Sequence, residues 1–77
     1  MILNAIKETI KENNFLKKYL SEYFKITQDF SEDNLLKLYK TGADLGGTCI
    51  EDSLMLGLKN DEENFDKVKS VLNIKTR

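Results

Sequence analysis

Carboxylates are the main side chains here that could do chemistry, since the chain has no histidine and Cys49 is its single cysteine. Without imidazole, no ordinary side chain titrates near neutral pH to pass protons, and neither a serine–histidine nor a cysteine–histidine pair can form. A zinc site would lack ligands for the same reason. The adjacent acids Glu51-Asp52 and Asp61-Glu62-Glu63 remain, but both groups stand where a helix start favours negative charge. The residues imply a protein that is not an enzyme and that uses neither a cofactor nor a metal.

Two further stretches invite a ligand and fail on spacing. Leu45-Gly46-Gly47 precedes a helix start, as a phosphate-cradling loop would, yet the Gly-Lys-Ser/Thr that completes such a loop is missing. Asp44, Glu51 and Asp52 would also repel an anion there. The segment from Asn60 to Asp66 is rich in oxygen ligands, but Phe65 holds the position a calcium loop reserves for glycine, and Val71 the position of its bidentate glutamate. A helix start explains the segment. Cys49 falls in the first turn of a helix, which lowers a thiol pKa, while Glu51 and Asp52 oppose the effect; a buried, inert thiol is expected.

Asp52-Ser53-Leu54 resembles the attachment motif of acyl carrier proteins, in which a serine opening a helix bears phosphopantetheine. In such carriers about half the chain follows that serine, whereas 24 residues follow Ser53. The stretch from Thr48 to Met55 is similar to a Thr-x-Leu-Glu-x-Ala-x-Met helix of the hairpin proteins by which phages sequester cyclic nucleotides. That likeness spans eight residues of an amphipathic helix. Neither assigns a family, and the second implies a ligand-sequestering alternative.

Phe15, Tyr19, Tyr23 and Phe24 recur at helical spacing among lysines. Aromatics interleaved with cations can stack on bases. The spacing itself predicts a core face or a self-association surface.

The elements that must position these residues are helical throughout. A helix is expected from about Ile2 to Lys25, with apolar residues Leu3, Ile6 and Ile10, then Phe15, Leu16, Tyr19, Leu20, Tyr23 and Phe24. The step from Ile10 to Phe15 rotates the stripe at Asn13-Asn14. One continuous helix is predicted because no glycine or proline forces a stop, the alternative being a break capped by Asn14. A second helix, capped by Ser31 or Asp29, carries Leu35, Leu36, Leu38 and Tyr39 and stops at Gly42. Thr48 and Glu51 match a capping box that opens a third, with Ile50, Leu54, Met55, Leu56 and Leu58 nearly surrounding it with apolar surface. That helix is expected to be central, with Leu54 among the most buried residues. A rival start at Ala43 would place Gly46, Gly47, Ser53 and Gly57 where another helix could approach closely. A fourth helix follows an N-cap at Asn60, with Phe65, Val68, Val71 and Leu72 inward and Ile74 extending it before the basic end frays.

Seventy-seven residues form one helical domain, 1–77, a compact all-α bundle of about four helices: one long N-terminal helix and three short ones. A core of this size is marginal alone, so a homo-oligomer is expected. The N-terminus lacks a signal-peptide core and no apolar run approaches a membrane span, which gives a cytoplasmic expectation with no membrane partner.

Net charge is −1, unevenly spread. Residues 28–66 hold ten acids against three lysines, while residues 67–77 hold four bases and no acid. An acidic middle argues against direct nucleic-acid binding, which needs clustered basic surface. It fits a small regulator or inhibitor that presents carboxylates to a larger, basic protein partner. Asp29, Asp33, Asp44 and Asp52 are the expected partner-binding acids, since Glu51 and Glu63 are assigned to capping. Phe15, Tyr19, Tyr23 and Phe24 are the expected self-association residues. The alternative is a small-ligand protein, for a nucleotide for example, with its pocket at a homo-oligomer interface.

Overall fold

A computed structural model describes the backbone of residues 2–75 and the side-chain surroundings of residues 2–73. Five helices make the fold: α1 (Ile2–Glu12), α2 (Asn14–Thr27), α3 (Glu32–Asp44), α4 (Ile50–Asn60) and α5 (Glu62–Lys75). The all-α expectation holds, and the number of helices needs correction. The long N-terminal helix is two, broken at Asn13. There the backbone turns extended (φ −121°, ψ 98°) and Asn13 Oδ1 accepts the Leu16 N–H at 3.0 Å. The break realigns the two apolar sets, so that Ile6 of α1 and Leu16, Leu20 and Tyr23 of α2 face one core. Asn13 Nδ2 also donates to Glu51 Oε2 at 2.9 Å, tying the bend to α4.

Gly42 does not end α3. The helix continues to Asp44 and closes at Gly46, the one glycine with a left-handed φ, +102°. The Gly47 N–H donates to the Gly42 carbonyl at 3.0 Å and the Gly46 N–H to the Ala43 carbonyl at 3.1 Å. This paired closure is the Schellman arrangement, and it uses the glycine-rich segment as a helix stop. Gly42 is kept small for another reason: a Cβ on it would overlap the Ser53 carbonyl of α4.

The expected Thr48–Glu51 capping box is displaced by one residue. Cys49 is the N-cap, its Sγ accepting the Asp52 N–H at 3.5 Å, and Asp52 Oδ2 accepts the Thr48 N–H at 3.2 Å. Glu51 is drawn to Asn13 instead, which explains the shift. Cys49 is exposed, not buried. Asn60 likewise ends α4 and does not cap α5. Asp61 makes the junction, donating its N–H to the Leu58 carbonyl at 3.1 Å and accepting the Phe65 N–H on its own carbonyl at 2.8 Å. Helix α5 passes through Ile74; fraying at residues 76–77 lies outside the described residues.

Helix α4 packs against all four other helices. Leu54 and Leu58 on it are fully buried, with Ile6, Leu16, Leu20, Tyr23, Leu35, Leu38 and Val68 around them. Its tightest contact is the antiparallel pairing with α3, where glycines let the backbones meet: Gly57 lies on the Leu38 carbonyl, and Gly42 on that of Ser53. Helix α5 runs antiparallel to α2, with Tyr23 opposite Asp61 and Tyr19 opposite Phe65. Among the described residues no helix is long and apolar enough to cross a membrane.

Candidate protein interface

Helix α2 ends at Gln28, whose left-handed conformation (φ 57°, ψ 32°) turns the chain sharply toward α3. The next three residues are locked by their own side chains. Asp29 Oδ1 accepts from the Ser31 N–H at 3.1 Å and from the Ser31 hydroxyl at 2.7 Å. Ser31 Oγ accepts the Asn34 N–H at 3.1 Å as N-cap of α3, and Asn34 Nδ2 donates to the Asp29 carbonyl at 3.2 Å. Such local bonds are what Asp, Ser and Asn offer a turn in place of helix.

The locked turn holds Phe30 outward, 71% exposed, its ring 6.4 Å from that of Phe24. Single exposed apolar residues are ordinary on protein surfaces. This one stands among carboxylates. Asp29, Glu32 and Asp33 flank it in sequence, and the antiparallel topology brings the start of α5 (Asp61, Glu62 and Glu63) to the same end of the bundle. Tyr23 of α2 ties the second group to the core, its hydroxyl donating to Asp61 Oδ2 at 2.8 Å.

The charges at this end are partly balanced. Lys7 pairs with Glu32, and Lys67 Nζ lies 3.6 Å from Glu63. The Asp33 and Glu62 carboxylates are exposed and make no hydrogen bond or ion pair among the described residues. The two hydrogen bonds from Ser31 hold the Asp29 carboxyl below its ordinary range. The Asn64 side-chain amide does the same for Asp61, aided by the Tyr23 hydroxyl. Burial, then the Asp61 carboxylate and the more distant Asp29, push the Tyr23 phenol up to about 12. Both carboxylates are therefore firmly ionised at neutral pH and the phenol stays a donor.

The four expected acids do not form one surface. Asp29 and Asp33 stand at the Phe30 end. Asp44 closes α3 about 16 Å further along its axis, and Asp52 lies at that same end, in the first turn of α4. Asp52 is also engaged with the Thr48 N–H. Phe30, Glu62 and Glu63 join the site instead. Phe30 was legible only as an aromatic between two helices, and the two glutamates were masked by their fit to a helix start.

The four aromatics divide too. Tyr23 is 5% exposed and belongs to the core, which removes it from any self-association surface. Phe24 is half-buried beneath Phe30. Phe15 is 59% exposed, and its ring stacks 4.6 Å from Tyr19, which in turn lies 5.8 Å from Phe65. Phe15 and Tyr19 border a groove of about 280 Å³ between α2 and α5, completed by Lys18, Lys69, Leu72 and Asn73. Lys69 Nζ sits 5.1 Å over the Phe65 ring and 3.2 Å from Asp66.

Ser53, which carries the resemblance to a carrier-protein motif, is 2% exposed and packed against Gly42 and Gly47, closed to any attached group. Among the described residues no group of three or more histidine, cysteine, aspartate or glutamate side chains could hold a metal ion. No protein-family model, no curated protein and no solved structure matches the chain.

Proposed function

We propose that this chain is a non-enzymatic regulator or inhibitor that binds a larger protein by placing Phe30 in an apolar pocket ringed by lysine and arginine. The observation that carries the reading is Phe30 itself, an exposed aromatic on a backbone turn fixed by the Asp29–Ser31–Asn34 hydrogen bonds. Buried aromatic anchors dominate the energetics of protein interfaces, and an anchor already held in place loses less conformational entropy on docking. The surrounding carboxylates supply steering toward a basic partner and reject acidic ones.

The test replaces Phe30 with a photo-crosslinking phenylalanine analogue and irradiates the protein in lysate of its source cells. A specific partner gives an adduct that excess wild-type chain competes away and excess Phe30→Ala does not. If no adduct discriminates between those two competitors, Phe30 is not the docking residue.

A further inference from the structure

We propose that the groove between α2 and α5 receives Phe30 of a second copy of this chain, so that the protein assembles head to tail and covers its own docking residue. The inference rests on reading Phe30 as a docking residue. Its new content is the occupant of the groove.

The two surfaces are complementary in shape and in sign. One is an aromatic knob with Asp29 and Asp33 close to it in the chain and Glu62 at the same end of the bundle. The other is an apolar trough of about 280 Å³ walled by Phe15, Tyr19 and Leu72. Lys18 and Lys69 stand on its rim, and the Lys18 ammonium makes no hydrogen bond or ion pair among the described residues. Pairing two grooves would set lysines against lysines, and pairing two acidic ends would set carboxylates against carboxylates. Knob into groove avoids both.

The chain cannot satisfy itself. Phe15 opens α2 and Phe30 lies beyond its other end, about 20 Å away along the 14-residue helix, and the turn that holds Phe30 is locked. The groove and the knob therefore meet only between copies. Such a contact uses different patches on the two partners, and each added copy leaves one groove and one knob open. Assembly continues with concentration unless a ring closes. Dilution, or a partner with higher affinity for Phe30, releases the docking residue.

Complementary variants of the purified 77-residue chain test this by sedimentation. Wild type should rise above its 8.9 kDa monomer mass as concentration increases into the tens of micromolar, and fall back when sodium chloride is raised from about 0.05 to 0.5 M. Phe30→Ala lacks the knob, and Lys18→Glu with Lys69→Glu reverses the groove rim. Each variant alone should stay monomeric with an unchanged helical signal. Mixed, they retain one working knob and one working groove and should form a complex that stops at twice the monomer mass. A wild type that remains monomeric throughout overturns the proposal. So does self-association that persists in either single variant, or a mixture that does not associate. The Phe30 crosslinking is kept separate from this outcome by placing the probe and both competitors in the Lys18→Glu, Lys69→Glu background, which keeps Phe30 and removes the groove through which a Phe30→Ala competitor would otherwise cover the probe.

Discussion

Gly57 of α4 meets the main-chain carbonyl of Leu38 in α3 with no room for a side chain between them. In an exposed helix, glycine to alanine gains about 1 kcal/mol from propensity. Here the added Cβ would overlap backbone, which cannot rotate away, and the helices would have to part. Gly57→Ala should cost about 3 kcal/mol or more despite its better propensity. Gly46→Ala meets open space but keeps a left-handed φ of +102°, a penalty of about 1–2 kcal/mol. Urea unfolding of the two variants should rank them in that order. Equal stabilities would show that the α3–α4 contact is looser than described.

Leu54 is fully buried on the helix that touches every other. Truncation to alanine should cost about 2–5 kcal/mol in transfer and cavity terms. A domain of this size has a total stability of roughly 4–12 kcal/mol, so Leu54→Ala should melt far below the parent or not fold. A thermal melt within two degrees of wild type would place the core elsewhere.

The Tyr23–Asp61 hydrogen bond predicts a pH dependence at both extremes. The folded phenol titrates near 12 against an ordinary value of 10, so the folded state holds its proton where the unfolded state has lost it. Stability from this group is complete below pH 10 and declines as pH rises toward 12. Asp61 shifts downward, so the unfolded state takes up its proton first on acidification. Its contribution is present above about pH 4 and is lost below it. Tyr23→Phe should cost about 1 kcal/mol at neutral pH, small because Asp61 is solvated. It should also reduce the decline between pH 10 and 12. Denaturant midpoints across that range check both, and an unaltered alkaline slope would contradict the assignment.

Much of this fold was legible in the sequence because helical periodicity reports directly on a core face. The buried line Leu54–Leu58 and the central place of α4 followed from it. The boundaries were misread where one residue could serve two partners. Glu51 matched a capping box with Thr48 locally, yet Asn13, 38 residues away, takes its carboxylate, and the cap moves to Cys49. Gly42 matched a helix stop, yet it is a close-contact residue, and Gly46 makes the stop. The candidate site was legible as a stretch of sequence and not as a surface. The acidic middle segment was plain, but which acids share a surface depends on the bundle's two ends, and that depends on the break at Asn13.

The division of acids between the two ends gives a functional prediction that a single acidic surface would not. Asp33 lies beside Phe30, and Asp44 is about 16 Å further along α3, about two screening lengths at physiological ionic strength. Charge reversal at each position changes net charge equally, so general electrostatics cannot distinguish them. If the Phe30 end meets a basic partner, Asp33→Lys with Glu62→Lys should slow association with the protein captured at residue 30 by roughly tenfold. Asp44→Lys with Asp52→Lys should change it by less than about twofold, after circular dichroism confirms that the loss of the Asp52 bond to Thr48 leaves the helices intact. Raising salt should slow wild type toward the Asp33 variant and leave that variant nearly unchanged, because the charges that salt screens are already reversed. Association rates from stopped-flow mixing decide it: equal slowing by both pairs would mean that the whole molecule's charge, and not the Phe30 end, attracts the partner.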